Sequence, residues 1–142
     1  MTRSRWLLDD YLSYLLARAG QAVAAEIHRD VAEAGLTVLE WRVLATLAGG
    51  DARSVGEIAS IVLAQQSTVT KLLKRMERDG RVVRSDGQHD RRQSLLRITA
   101  AGRAEVAPLL RRAKRHERAA IARLDADEAA ALKAALQKLI AD

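Results

Sequence analysis

QQSTVTKLLKRMERDG, residues 65–80, followed by RVVRSDGQHDRRQSLLRIT, residues 81–99, is the stretch on which the fold turns. Its first half places apolar residues at Val69, Leu72, Leu73 and Met76, the i, i+3, i+4, i+7 spacing of a helix with one buried face. It closes on Asp79-Gly80, where glycine takes the left-handed cap. After Gly80 the period drops to two. Arg81-Val82-Val83-Arg84 and Leu95-Leu96-Arg97-Ile98 read as strands, with the polar run Asp86 to Arg92 between them. The reading is a helix from Gln65 to Asp79 and a long-tipped hairpin behind it.

Working upstream, Ser54-Val55-Gly56-Glu57 has the S-x-x-E form of a capping box and opens a short helix to about Leu63, with Val55, Ile58, Ala59 and Val62 on its buried side. Two short helices joined by a tight connection suggest a helix-turn-helix. Thr37-Val38-Leu39-Glu40 is a second capping pattern, beginning a helix to Ala48 that Gly49-Gly50 stops. From Trp6 to Val31 the apolar residues Leu8, Tyr11, Leu12, Leu15, Leu16, Ala19, Val23, Ile27 and Val31 predict an amphipathic helix ending near Gly35.

Downstream, Thr99 caps a long helix to about Leu124, in which Pro108 predicts a kink or a restart. Asp125-Ala126-Asp127-Glu128 caps a last helix carrying Ala129, Leu132, Leu136, Leu139 and Ile140. The fold class is mainly α: a winged helix-turn-helix lobe over residues 36–99 within one domain, flanked by helices in 1–35 and 100–142. The flanking apolar faces need cover. Packed across a two-fold axis they are dimerisation helices; packed on one another they form an intramolecular bundle.

Composition narrows the function. The 142 residues contain no cysteine, which excludes thiolate zinc sites and a cysteine nucleophile. His28, His89 and His116 lack metal-ligand spacing, so neither a metal nor a cofactor is expected. No nucleophile elbow, phosphate-cradling glycine loop or convergent His/carboxylate set points to an enzyme. The N-terminal stretch is interrupted by Asp9, Asp10 and Arg18, so no signal-peptide run or membrane span is read there and a cytoplasmic location is expected. Phe is absent and aromatics make up 3% of the chain, leaving little material for stacking single-stranded bases and favouring duplex DNA as the partner.

The net charge of +6 is unevenly placed. Residues 1–70 carry −2, whereas residues 71–97 hold nine basic groups against four acidic ones. A second basic cluster, Arg111, Arg112, Lys114, Arg115 and Arg118, reads as a solvated helix face, with an additional anion or DNA-backbone contact as the alternative.

Helix, turn, helix, basic hairpin is the order in which the second helix enters the major groove and the hairpin lies over the adjacent backbone or minor groove. With the stripe from Val69 to Met76 turned inward, Gln65, Gln66, Ser67, Thr70 and Lys71 are candidates for base edges, and Lys74 and Arg78 for phosphates. Two other functions share these residues: a sequence-tolerant architectural DNA-binding protein and a winged-helix protein-interaction module.

Leu36 to Gly102 resembles the MarR family of bacterial regulators. The likeness lies in Gly35-Leu36-Thr37 with Trp41-Arg42-Val43-Leu44, Gln66 to Leu73, Met76 to Gly80, and Asp90-Arg91-Arg92 followed by Ile98-Thr99-Ala100-Ala101-Gly102. The resemblance implies a repressor that binds a pseudo-palindromic operator as a homodimer. It also implies that Asp90 braces the wing and orients Arg92 into the minor groove, with Arg91 adding a phosphate or groove contact; the plainer reading is that Asp90 and Arg92 tie the hairpin tip. It further implies an aromatic or anionic effector bound where the dimer helices meet the winged unit, for which Tyr11, Tyr14, Arg18, His28, Trp41 and Arg42 are candidates. Two residues depart from the pattern. Arg81 stands where an apolar residue usually follows the closing glycine, so either its alkyl stem packs or the strand begins differently. Ala64 and Gln65 cap the reading helix poorly.

Overall fold

Helix boundaries follow the capping chemistry written in the chain. The computed structural model describes residues 10–86 and 94–141. Among them run α1 (Leu12–Glu33), α2 (Val38–Leu47), β1 (Arg53–Ser54), α3 (Val55–Val62), α4 (Gln66–Arg78), β2 (Val82–Asp86), β3 (Ser94–Ile98), α5 (Ala100–Ile121) and α6 (Ala126–Ile140). The expected start of the first helix at Trp6 lies outside the described residues; α1 begins at Leu12, its first bond running from the Leu15 N–H to the Tyr11 carbonyl.

Thr37 and Asp125 form complete capping boxes with Glu40 and Glu128. The third box is half built. The Ser54 hydroxyl accepts from the Glu57 N–H at 3.2 Å, yet it also donates to the Glu57 carboxylate at 3.2 Å, so the carboxylate does not reach back to the Ser54 backbone. Ser54 is also the last residue of β1, opposite Leu95, and its backbone already belongs to a sheet.

That sheet is three-stranded, in the order β1-β3-β2 and antiparallel throughout, rather than a two-stranded hairpin. In the wing Val82 faces Ile98 and Arg84 faces Leu96. The expected strand from Arg81 begins one residue later, because Arg81 serves the corner between α4 and β2: its N–H closes the α4 cap on the Met76 carbonyl, and its own carbonyl accepts from the Thr99 N–H at 3.0 Å. Thr99 locks that corner to α5. Its hydroxyl donates to the Gly80 carbonyl and accepts from the Gly102 N–H. Gly102 has to be glycine here, since a Cβ on it would collide with the Arg81 carbonyl and crowd Ile98.

α5 continues through Pro108 as one helix, so of the expected kink or restart the restart does not occur. Proline removes one helical donor, and Val106 and Leu109, both buried, hold the turns on either side of it against the core.

The chain divides into two compact units. His28–Arg111 holds a continuous core of Val31, Leu36, Trp41, Val43, Leu44, Leu47, Ile58, Val62, Val69, Leu72, Leu73, Met76, Val82, Leu96, Val106 and Leu109. The carbonyl end of α2 is closed by two arginines from elsewhere in this unit, Arg97 onto Gly50 at 3.1 Å and Arg103 onto Ala48 at 3.0 Å, the sign of charge a helix C-terminus favours.

The other unit, Met1–Ile27 with Arg112–Asp142, is different in kind. Among its described residues only Ile27 is buried. Tyr11, which precedes α1, Leu12, Leu15, Leu16 and Val23 of α1, and Leu132, Leu139 and Ile140 of α6 lie exposed. His116 and Glu26, 2.8 Å apart, join α5 to α1, and Lys133 and Glu117, 3.6 Å apart, join α6 to α5. Among the described residues no helix is long and apolar enough to cross a membrane.

Candidate nucleic-acid interface

α4 buries Val69, Leu72, Leu73 and Met76 as its periodicity requires, and that burial fixes what the opposite face presents. Ser67, Lys71, Lys74 and Arg78 line one open groove of about 740 Å³, together with Thr68, Arg75 and Leu72 of α4 and with Thr37 and Leu39 at the start of α2. The side chains of Lys71, Lys74, Arg75 and Arg78 make no ion pair or hydrogen bond with any described residue, so four cations stand side by side along the groove with no described counter-charge.

The neighbouring arginines are occupied. Arg84 of β2 donates from Nε to Glu77 of α4 at 2.7 Å, tying the wing strand to that helix. Arg81 donates to Glu105 of α5 from Nε at 2.9 Å and Nη2 at 3.1 Å, and to Glu40 of α2 from Nη1 at 2.8 Å. This settles the odd residue after Gly80: its guanidinium joins three elements. The hydrogen bonds to Glu105 hold its pKa above the ordinary arginine value, against the opposing effect of burial.

The other described candidates, Gln65, Gln66 and Thr70, do not line this groove. Gln65 is the N-cap of α4 and makes no side-chain cap bond, as its residue type implied. Gln66 lies on the α3 side, its Oε1 3.9 Å from where a Cβ on Gly56 would be. The Thr70 hydroxyl donates to the Gln66 carbonyl at 2.8 Å, which leaves it an acceptor and a methyl group toward a partner. Asp90, Arg91 and Arg92 lie outside the described residues.

The six effector candidates divide between the units. Arg18 donates to the Tyr14 hydroxyl at 2.9 Å with its guanidinium 5.8 Å from the ring centroid, and Tyr11 is exposed nearby in sequence. In the other unit Trp41 is buried in the core, His28 is half-buried and Arg42 is exposed. A cavity of about 260 Å³ in the first unit is lined instead by Val23, Glu26, His116, Arg123 and three alanines. Among the described residues no cluster of three or more His, Asp or Glu suits a metal ion.

Residues 34–93 match the family model described as MarR family. An HTH-type transcriptional repressor of Mycobacterium tuberculosis is 32% identical over 141 residues, 96% of this chain and 99% of that protein. The chain belongs to the MarR family. A MarR-family transcriptional regulator from Silicibacter pomeroyi DSS-3 superposes with a TM-score of 0.84 at 35% identity, over 96% of this chain and 97% of that one. The transcriptional repressor CouR, solved bound to a 23-mer DNA duplex, superposes with a TM-score of 0.78 at 30% identity, over 94% and 95% of the two chains. The repressor IacR of Pseudomonas putida is 34% identical over 94 residues, 66% of this chain and 56% of that protein, so the chain spans about half the length of that curated relative.

Within this MarR fold, Arg75, Thr37 and Thr68 line the groove although the sequence reading named none of them as a DNA-contact candidate. Arg75 was legible in principle, lying one turn beyond Lys71 on the flank of the exposed face. Thr37 was not, since its place beside α4 depends on how α2 packs.

Proposed function

We propose that the chain is a homodimeric, sequence-specific regulator of transcription that binds double-stranded DNA, acting as a repressor on a pseudo-palindromic operator in the cytoplasm. The observation that carries this is the row of cations Lys71, Lys74, Arg75 and Arg78, unpaired among the described residues, beside the hydroxyls of Ser67 and Thr68 on the exposed face of α4. Neighbouring arginines are neutralised internally, whereas this face is left charged, as phosphate binding demands. In this reading Ser67, Lys71, Gln65, Gln66 and Thr70 meet base edges, Lys74, Arg75 and Arg78 meet phosphates, and Arg92, braced by Asp90 with Arg91 beside it, enters the minor groove. The repressor named in Mycobacterium tuberculosis and the DNA-bound CouR support the reading.

The homodimer rests on the unit in which only Ile27 is buried among the described residues: eight large apolar side chains of α1, α6 and the residue before α1 stay exposed in a single chain. A second copy covers such faces most economically and sets two reading heads about one DNA turn apart. Effector response completes the proposal. Arg18, held against Tyr14, offers a cation beside a ring, a pairing suited to an aromatic carboxylate.

The test is selection of genomic fragments by the purified protein. An enriched inverted repeat, bound tightly by the parent and at least tenfold more weakly by Lys71→Ala and by Arg92→Ala, is the expected result. Unchanged affinity in both variants would falsify specific recognition. Light scattering on the eluted protein at micromolar concentration checks the dimer, and a monomer there rejects it. Titrating simple aromatic carboxylates into the complex checks effector release.

A further inference from the structure

Four described residues adopt positive φ: Gly35, Gly50, Gly80 and Leu63. Two of the glycines, Gly35 and Gly80, close helices by the motif in which the following N–H reaches back five residues, Leu36 to Val31 and Arg81 to Met76. The end of α3 is built the same way, with the Ala64 N–H on the Ala59 carbonyl, but the left-handed position there, at φ 59° and ψ 45°, holds a leucine. A Cβ atom in that conformation crowds the following carbonyl oxygen, which is why the chain uses glycine at the others. Leu63 gains no packing in return. Its relative exposure is 86%, the highest among the described large apolar residues, and Ile61, two residues before it, is half exposed.

A residue that strains the backbone and buries nothing in the free protein is explained by contact outside it. Its position says where. Leu63 stands two residues before Gln65, the N-cap of α4, at the end of the reading helix that approaches the bases in a helix-turn-helix. The first turn of α4 there offers Gln65, Gln66 and Ser67, all polar, so Leu63 supplies the large apolar group at that end. In the major groove the apolar feature of a base pair is the thymine C5-methyl group.

We infer that Leu63, presented by the strained turn between α3 and α4, is a specificity-determining residue that packs on a thymine methyl in each operator half-site. This rests on the DNA-reading function proposed above and adds to it an apolar, base-selective contact outside the reading helix.

The experiment uses the full chain and the operator enriched by selection, with each thymine of both half-sites replaced in turn by uracil, which pairs identically but lacks the methyl. Affinity is read by fluorescence anisotropy at fixed salt, and stability by thermal unfolding. For the parent protein, one replacement per half-site weakens binding about fourfold, the worth of one buried methyl-sized group. For Leu63→Gly the same replacement has no effect, affinity for the thymine operator is already reduced by about that factor or more, and the protein melts at or above the parent's temperature because the left-handed strain is relieved. The inference is overturned if the parent is indifferent to every uracil, if Leu63→Gly keeps the same thymine dependence, or if Leu63→Gly melts well below the parent, which would mean the side chain serves the fold. An enriched operator with any of these outcomes defeats the inference alone. Failure to enrich any sequence defeats base reading and the inference with it.

Discussion

Replacing Arg81 by methionine keeps the length of the side chain and removes its cation. Glu40, whose side chain is 13% exposed, then loses a charge-assisted bond of 2.8 Å, and Glu105, 31% exposed, loses a bidentate pair of 2.9 and 3.1 Å. Breaking a fully buried ion pair costs roughly 3–5 kcal/mol, whereas an exposed pair is worth about 0–1 kcal/mol. Partial exposure of both carboxylates places the loss between these, at about 2 kcal/mol. The cost comes mainly from two part-buried carboxylates left without the cation they share, so adding Glu40→Gln and Glu105→Gln to Arg81→Met restores at least half of it. Gln still serves the capping box at Thr37, so the start of α2 is not lost in that combination. Arg81→Lys falls between parent and methionine, since one ammonium cannot reproduce the fork on Glu105. Urea unfolding at one fixed protein concentration gives the values, the concentration being held because subunit association shifts apparent stability. Arg81→Met within about 0.5 kcal/mol of the parent, or a triple variant less stable than the single one, refutes the reasoning.

Gly102→Ala gains helix propensity worth about 1 kcal/mol but drives a methyl into the Arg81 backbone carbonyl, which cannot swing aside; a net loss of roughly 2 kcal/mol is expected in chemical or thermal unfolding. The Asp125 carboxyl is held below the ordinary aspartate value by the hydrogen bond it accepts from the Glu128 N–H, so its stabilisation of α6 is complete above the ordinary value and is lost as pH falls through the lowered one. Circular dichroism should show α6 fraying in that acid window in the parent, and a weaker pH dependence in Asp125→Asn, which keeps a neutral acceptor. Removing Lys74 or Arg75 should flatten the plot of log affinity against log salt by about 0.9 per lost phosphate contact, whereas Arg84→Ala should leave the slope alone and lower stability, because Arg84 is committed to Glu77.

What the sequence displays and what it conceals follow from the range of the interactions. α4 was legible because Val69, Leu72, Leu73 and Met76 announce a buried face at helical period, and the starts of α2 and α6 because Thr37-Glu40 and Asp125-Glu128 are local pairs. β1 was not: two residues, Arg53 and Ser54, carry no period, and they form a strand only because β3 arrives beside them. Pro108 pointed to a kink or a restart, and the restart is not made: the burial of Val106 and Leu109 is a tertiary fact that outweighs one missing donor. At the site, the placement of Ser67, Lys71, Lys74 and Arg78 on one face could be read by counting turns. The commitment of Arg81 could not, because its partners lie 41 residues before and 24 residues after it.

That last difference bears on how positive charge becomes function. Nine basic residues between 71 and 97 look equivalent in the sequence. Folding sorts those it describes: Arg81 and Arg84 turn inward to the carboxylates of Glu105 and Glu40 and of Glu77, Arg97 stays exposed with its guanidinium on the Gly50 carbonyl, and Lys71, Lys74, Arg75 and Arg78 lie on α4 with no ion pair to any described residue. The inward group holds the corners of the winged unit, joining α2, α4, the wing strands and α5, and so fixes the geometry in which the outward group is displayed. Charge spent inside cannot contribute to counterion release, and charge left outside adds nothing to the rigidity of the frame. The two groups are therefore separable by experiment: substitutions in the first should change unfolding before they change the salt dependence of DNA binding, and substitutions in the second should do the reverse.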